Sequence, residues 1–297
     1  MLTGDWNSLE FTSAIRNDQQ DSKETIDQIQ KGSLNIRDLG YITTTYLKAI
    51  SEKEAYFLNR LPKIGVFIKK DNENYNKLNW KKLDKEMKSG NFEEKELEVY
   101  ISEKDKIKCR MIIKSVPEKV KNERIRKSAQ GGKRTKGYQL TDEHKIKAGY
   151  TIYITNVPQE KLSSAQIGHA YRLRWQIELV FKVWKSNLKI HKIKPMKLER
   201  MLCQLYAKFI WILLNANILK LANRILQRKE PTQVCSPTKY YKRAKTFSKE
   251  LRYILDDNSS FFQWFTATIM PLITNILTEQ RLNQPTHNQL LYSLFLS

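Results

Sequence analysis

The sequence predicts an α/β fold in which a basic, β-rich middle part separates a first α/β part from a helical end. Three observations predict this order. Strand-like and helix-like segments alternate over residues 1–61. Residues 62–160 contain apolar runs that alternate in period two, together with one strongly basic run. From Ser163 onward, apolar residues recur at helical spacing.

The first part is predicted from the order of its elements. Helix signals appear as acidic residues before an apolar face and as Gly32 just after it, and strand signals appear as short apolar runs between turn residues. In chain order, the predicted elements are a weak strand over 6–11, a helix over 21–32, a strand over 33–38 that ends at Asp38, a helix over 43–51 and a strand over 55–61.

The middle part is predicted to be a β-rich insertion. Its strands are the runs LEVYIS, IKCRMIIKSV and YTIYITNV. Between the last two runs, the glycine-broken residues 118–139 predict a mobile basic segment. Its GGKRT stretch lacks the spacing of a phosphate-binding loop. This stretch is either a solvated charged loop or a DNA contact, and the sequence leaves both open.

The helical end begins with a capping box, in which Gln166 follows Ser163 by three residues. The helix is predicted to run from there to about Asn187, a second helix to cover about 197–224, and shorter helices to cover about 246–256 and 259–280. The most apolar run, FIWILLNANILKLA, is interrupted by polar residues and is predicted to be a buried helix too short to span a membrane.

The charge of the chain favours a polyanionic partner. Lys and Arg number 53 against 31 Asp and Glu, which gives a formal net charge of +22. Nucleic acid is the most common partner for such an excess, although lysine enrichment from an AT-rich genome is the competing explanation. The three cysteines form no paired motif, which favours a reducing compartment and gives no support to a zinc site.

One stretch, YRLRWQIELVFKVWK, carries the strongest candidate site. On a continuous helix at about 100° per residue, Arg174, Glu178 and Lys185 fall within about 60° of Tyr171. These side chains would therefore share one stripe along about four turns. The apolar residues are predicted to form the buried arc, namely Leu173, Ile177, Val180, Phe181, Trp184 and Leu188.

Two interpretations of the stripe stay open on the residues alone. In the first, Glu178 forms surface ion pairs with Arg174 and Lys185, which contribute little to stability. In the second, Glu178 holds a hard divalent cation, while the phenol and the two cations bind phosphates on either side of the reacting one.

The stretch resembles a known family. Tyr-x2-Arg-x3-Glu-x6-Lys, here Tyr171, Arg174, Glu178 and Lys185, is similar to the signature of bacterial DDE transposases of the IS-four insertion-sequence family. LNIRDLGYITTTYLKAI is similar to the family segment that carries the second aspartate, here Asp38. The resemblance implies a ribonuclease-H-like core, formed by residues 1–61 and 161–225, with 62–160 as its β-rich basic insertion and 226–297 as a helical C-terminal region.

The resemblance also implies the chemistry. Asp38 and Glu178 would be catalytic metal ligands for Mg²⁺ or Mn²⁺, and Tyr171, Arg174 and Lys185 would bind transposon-end DNA. The reaction would be phosphodiester hydrolysis at the element's ends followed by strand transfer into double-stranded target DNA. A homodimer, with no membrane association, in the bacterial cytoplasm on the nucleoid is the matching expectation.

The sequence departs from the family pattern before Asp38. No upstream acid lies in the middle of an apolar strand, so no first catalytic aspartate is assigned. We expect a ribonuclease-H-like core that is incomplete at its N-terminus, in a truncated chain that is inactive alone. The alternative function is that of a non-catalytic, basic DNA-binding remnant.

Overall fold

The computed structural model describes residues 17–70, 74–133, 140–190, 192, 194–230, 233–256, 260–276 and 294. The chain divides into two compact units, with the boundary between Tyr171 and Arg172. We call the described residues up to Tyr171 the sheet unit and those from Arg172 onward the helical unit. The strand predicted over residues 6–11 lies outside the described residues.

The sheet unit contains seven strands, which are β1 Leu34–Asn35, β2 Tyr56–Arg60, β3 Val66–Lys69, β4 Tyr75–Lys77, β5 Glu94–Ile101, β6 Ile107–Ser115 and β7 Tyr150–Thr155. They form one sheet in the order β1-β2-β7-β6-β5-β3-β4. Only β1 and β2 run parallel, and the remaining neighbours are antiparallel. The mixed α/β class predicted from the sequence is confirmed, and strands of residues 62–160 continue the sheet that β1 and β2 begin.

The helices of the sheet unit are α1 Asp18–Glu24, α2 Thr44–Glu52, α3 Trp80–Ser89, α4 Glu118–Lys133, α5 Asp142–Ala148 and α6 Ser164–Arg172, whose last residue falls in the helical unit. Short 3₁₀ helices cover Ile26–Gln28 and Leu39–Tyr41. The prediction of a mobile basic segment is wrong for residues 118–133, because they form α4. α4 begins directly after Pro117 and contains no proline, and its many Lys, Glu and Arg residues are good helix formers.

The largest apolar cluster of the sheet unit lies on one face of the sheet. Alternate residues of the central strands point to this face, as period-two geometry requires, and they are completely or almost completely buried there: Val99, Ile101, Cys109, Met111, Ile113, Ile152 and Ile154. The helices α2 and α3 cover them with Tyr46, Leu47, Ile50, Trp80, Leu83 and Met87. The Thr43 hydroxyl accepts a hydrogen bond from Tyr46 N at 3.1 Å and so caps α2.

The helical unit contains α7 Trp175–Ser186, α8 Leu198–Lys229, α9 Pro237–Ala244, α10 Ser248–Asp256, α11 Phe261–Trp264, a π-helical turn over Phe265–Ile269 and α12 Met270–Thr274. Its core contains residues of each of these elements, among them Trp184 of α7, Ile212 of α8 and Tyr240 of α9. The predicted helices over about 197–224, 246–256 and 259–280 correspond to α8, to α10 and to the α11–α12 run, and α9 was not predicted.

The apolar run that was predicted to be too short to span a membrane belongs to the longer helix α8. By length and composition the helix of 32 residues is long and apolar enough to cross one, with a mean hydropathy of 1.4 over its most apolar window. It nevertheless carries a buried polar residue that is satisfied within the unit. The Asn215 amide donates to Trp211 O at 2.9 Å, and its oxygen accepts from the Tyr240 hydroxyl at 3.1 Å. Asn215 therefore lies on the buried side of α8, although only 28% of the most apolar window of the helix is buried.

Candidate functional site

Asp38 lies just beyond the carboxyl end of β1. The predicted strand is shorter than expected, since β1 ends at Asn35 and Asp38 instead caps the 3₁₀ helix that follows. Its carboxylate accepts a hydrogen bond from Leu39 N at 2.8 Å. The Asn59 amide donates to Arg37 O at 2.9 Å, so the chain leaving β1 still runs beside β2. Asp38 is exposed at this edge, where an open α/β sheet commonly binds ligands.

Glu178 lies in the first turn of α7. Arg174 Nη1 is 2.7 Å from Glu178 Oε1, with the arginine side chain 18% exposed and the glutamate side chain 38% exposed. A negative charge in the first turn of a helix is also stabilised by the helix dipole. Glu178 is therefore fixed by a neighbouring guanidinium while part of its carboxylate faces solvent.

The surroundings of Glu178 are basic. Glu178, Phe181, Lys182, Lys185 and Ser186 line one open groove along α7. Lys185, two turns from Glu178, shares this groove as the helical spacing predicts. Lys182 was missed by the sequence analysis, although its position one turn after Glu178 could have identified it.

The predicted stripe does not lie on one continuous helix. The helix expected from Ser163 to about Asn187 is interrupted between α6 and α7, at Leu173 and Arg174. The capping interaction at its start is present, with Ser163 N donating to Gln166 Oε1 at 3.0 Å. The four predicted residues are thus distributed: Tyr171 ends the sheet unit, whereas Arg174, Glu178 and Lys185 belong to the helical unit.

Tyr171 is buried and packs against another tyrosine. Its ring centroid lies 5.4 Å from that of Tyr153 on β7, at an interplanar angle of 60°. The predicted apolar arc of the following helix is only partly buried. Leu173 and Trp184 are buried, but Ile177 is 56% exposed and Phe181 is 46% exposed. The prediction that Ile177 and Phe181 are buried is therefore wrong. It assumed one continuous helix, whereas the break before Trp175 separates α7 from α6.

The metal prediction can be compared with the donors that the structure describes. Asp38 and Glu178 offer carboxylate oxygens, the donors preferred by Mg²⁺ and Mn²⁺. Their chemistry fits such an ion. Across the described parts of the chain, no three His, Cys, Asp or Glu residues are grouped closely enough to hold a metal.

Comparison with known proteins identifies a family model that matches most of the chain. Residues 2–214 match the family model described as Transposase DDE domain, a range that includes both Asp38 and Glu178. The chain is 32% identical over 253 residues to the transposase for insertion sequence element IS1151 of Clostridium perfringens, covering 79% of this chain and 52% of the relative. It is also 32% identical over 242 residues to the transposase for element IS231E of Bacillus thuringiensis subsp. finitimus, covering 77% of this chain and 50% of the relative.

A shorter match links the chain to the putative transposase InsL for element IS186A of Escherichia coli (strain K12), at 34% identity over 77 residues, which are 26% of this chain and 21% of the relative. No solved structure matches the chain. The chain spans about half the length of the curated transposases it matches most extensively.

Proposed function

We propose a function from one premise: the chain belongs to the DDE transposase domain family. The activity proposed for the whole protein is that of an insertion-sequence transposase, which hydrolyses phosphodiester bonds at transposon ends and transfers the freed strand into target DNA, whereas this chain, in which no first catalytic aspartate is assigned, is proposed to be inactive alone. The observation that carries this proposal is the family match over residues 2–214, which contains both candidate carboxylates. The net charge of +22 supports a polyanionic substrate.

Each site residue has a proposed role. Asp38 and Glu178 hold the divalent cation, Mg²⁺ or Mn²⁺. When bound, such an ion activates the attacking oxygen and stabilises the leaving one. Arg174 orients Glu178 through the 2.7 Å ion pair. Together with Arg174, Lys185 and Tyr171 bind transposon-end DNA near the cleaved phosphodiester bond.

The same proposal includes the domain organisation, the oligomeric state and the cellular compartment. Residues 1–61 and 161–225 form a ribonuclease-H-like core, residues 62–160 are its β-rich insertion, and residues 226–297 are a helical C-terminal region. The acting form is a homodimer on paired ends. The proposed compartment is the bacterial cytoplasm, where the protein meets the nucleoid DNA.

Iron-directed cleavage of the polypeptide tests the shared metal without requiring DNA cleavage. Fe²⁺ with ascorbate generates radicals that cut the backbone beside a bound ion. We expect cuts near both Asp38 and Glu178, which excess Mg²⁺ suppresses. In Glu178→Gln both cuts should weaken, whereas Glu199→Gln, an exposed acid in the first turn of α8, should leave them unchanged. Cuts near only one position, or cuts that Glu178→Gln leaves intact, contradict the paired ligands.

A second candidate is a non-catalytic DNA-binding protein. It is favoured by the formal net charge of +22, which attracts duplex DNA without a metal site. Salt-dependent binding of duplex DNA together with no iron-directed cut near Asp38 or Glu178 would support this candidate over the transposase activity. Iron-directed cuts at both positions would favour the transposase.

A further inference from the structure

The face of the sheet opposite the largest apolar cluster buries Leu58 and Ile112, and it also carries charged side chains, which on β5 and β6 are matched in pairs. Each of three acids on β5 lies within 3 Å of a base on β6, since the contacts measure 2.7 Å for Glu94–Lys114, 2.6 Å for Glu96–Arg110 and 2.9 Å for Glu98–Lys108. This half of the face is therefore close to neutral and offers little attraction to an anion.

The β2–β7 half of the same face is different, because it brings two arginines together. Arg60, the last residue of β2, is paired in register with Tyr153 of β7. Arg124 of α4 donates to Tyr150 O at 2.8 Å and to Thr151 Oγ1 at 3.0 Å, which holds its guanidinium against β7. Burial and, after it, the positive charge of Arg60 lower the pKa of Arg124. Because Thr151 and Tyr153 lie two residues apart on β7 and so point to one face, Arg60 and Arg124 both lie at that face of the strand.

Arg60 lacks a partner among the residues that the structure describes. Its Nε is buried without a hydrogen-bond acceptor, and the described acids form no ion pair with it. Burying an N–H donor without an acceptor is unfavourable, and placing a second cation nearby adds to this cost. A bound anion would relieve both, because it accepts the hydrogen bonds and screens the repulsion.

The position of this pair relates it to the candidate site. The Asn59 amide donates to the carbonyl of Arg37 at 2.9 Å, so the residue before Arg60 contacts the residue before Asp38. On the other side of Arg60, Tyr153 packs against the ring of Tyr171. The arginine pair thus lies between a proposed metal ligand and a proposed DNA contact of the sheet unit.

We propose that Arg60 binds a backbone phosphate of DNA beside Asp38, with Arg124 as a fixed neighbouring positive charge. The planar guanidinium suits a phosphodiester because it donates two parallel hydrogen bonds to the phosphate oxygens. Arg60 is the direct ligand, and Arg124 acts through its charge because its own donors already bind Tyr150 and Thr151. The identity of the ligand as DNA rests on the proposed function.

Equilibrium binding of a fluorescent DNA duplex, measured by anisotropy over a series of NaCl concentrations without divalent metal, tests this site. Arg60→Gln should weaken binding about tenfold, as expected for the loss of one charged hydrogen-bonded contact. It should also reduce the slope of log K against log salt by about 1, the change expected for one lost phosphate contact. Lys108→Gln is the matched control, since it removes a cation from the paired half of the same face, and should leave the slope unchanged.

Arg60→Lys separates charge from geometry. Lysine keeps the positive charge but lacks the planar fork, so the slope should stay as in the wild type while the affinity falls. Circular dichroism and the thermal midpoint check that each variant folds. If Arg60→Gln does not fold, Arg60→Lys decides, and wild-type affinity in that variant would overturn the proposal.

The outcomes separate this inference from the proposed function. Wild-type chain that binds DNA with a steep salt dependence, while Arg60→Gln behaves like Lys108→Gln, overturns the Arg60 site and leaves the proposed function standing. Wild-type chain that binds no duplex at low salt overturns both.

Discussion

The sheet unit and the α7 region of the helical unit differ in how completely they bury their apolar side chains. In the sheet unit, the central strands bury one alternating face so thoroughly that Val99, Met111 and Ile113 are 0% exposed. In α7, by contrast, large apolar side chains stand in solvent, namely Trp175, Ile177, Leu179 and Phe181. Packing therefore involves most of the apolar residues of these strands, whereas in α7 it involves mainly Val183 and Trp184.

The largest expected effect comes from comparing two isoleucines, one in each region. Ile113→Ala should reduce the free energy of unfolding by about 2–5 kcal/mol, because it removes buried methyl groups and leaves a cavity. Ile177→Ala should change it by at most about 0.5 kcal/mol, because that side chain is already in contact with water. Urea unfolding followed by circular dichroism measures both. Equal losses would show that α7 is as tightly packed as the strands.

The next effect concerns a partly buried ion pair. Arg110 bonds both Glu96 oxygens, at 2.6 and 2.9 Å, and also donates to Val157 O at 2.7 Å. Arg110→Ala should lower the free energy of unfolding by about 2 kcal/mol, because it leaves a half-buried carboxylate and a carbonyl without their donor.

Lys108→Ala is the control for Arg110→Ala, because it breaks a pair on the same strand whose side chains are largely exposed. Its cost should stay below about 1 kcal/mol. The urea midpoints of the two variants measure this difference. A loss for Lys108→Ala as large as that for Arg110→Ala would contradict the view that burial decides the value of these pairs.

Much of the sheet unit could be predicted from the sequence because period-two alternation marks strands with one apolar face, although Leu58 and Ile112 are buried on the other face as well. β5, β6 and β7 were found this way, and the helix predicted over residues 43–51 corresponds to α2. The helix over residues 118–133 was not predicted, because a basic run with two glycines resembles a solvated loop. Its other residues nevertheless favour a helix. Pairing of β2 with β7 across about a hundred residues is a non-local contact that no local pattern encodes.

The candidate site was predicted less completely. Spacing alone placed Arg174, Glu178 and Lys185 on one side of a helix, and all three lie at or on α7. It could not reveal the interruption after Arg172, because the residues of the break, Leu173 and Arg174, are good helix formers. Nor could it find Arg60, whose relation to Arg124 depends on strand register and on the placement of α4.

A smaller effect tests the polar contact inside the helical unit. Tyr240→Phe removes the hydroxyl that donates to the buried Asn215 oxygen at 3.1 Å. The free energy of unfolding should fall by about 1 kcal/mol, because the amide oxygen loses its donor in a site without water access. Tyr253→Phe, at a position that is 75% exposed, should have no measurable effect in the same urea titration. A neutral result for Tyr240→Phe would mean that the amide finds another donor.

The smallest effect on stability is expected where the proposed effect on function is greatest. Glu178→Gln loses an ion pair in which the arginine precedes the acid by four residues, an order that stabilises a helix less than the reverse. It also loses a favourable charge in the first turn. The free energy of unfolding should therefore fall by only about 0.5 kcal/mol.

Glu199→Gln, also in the first turn of its helix, supplies the control, and urea unfolding measures both variants. A loss above about 1.5 kcal/mol for Glu178→Gln would exceed what a partly exposed pair contributes and would assign the carboxylate a structural role. A small loss of stability, together with loss of the iron-directed cuts, would instead assign Glu178 a role in metal binding. The contrast between the buried strands and the exposed face of α7 would then be a contrast between packing and function.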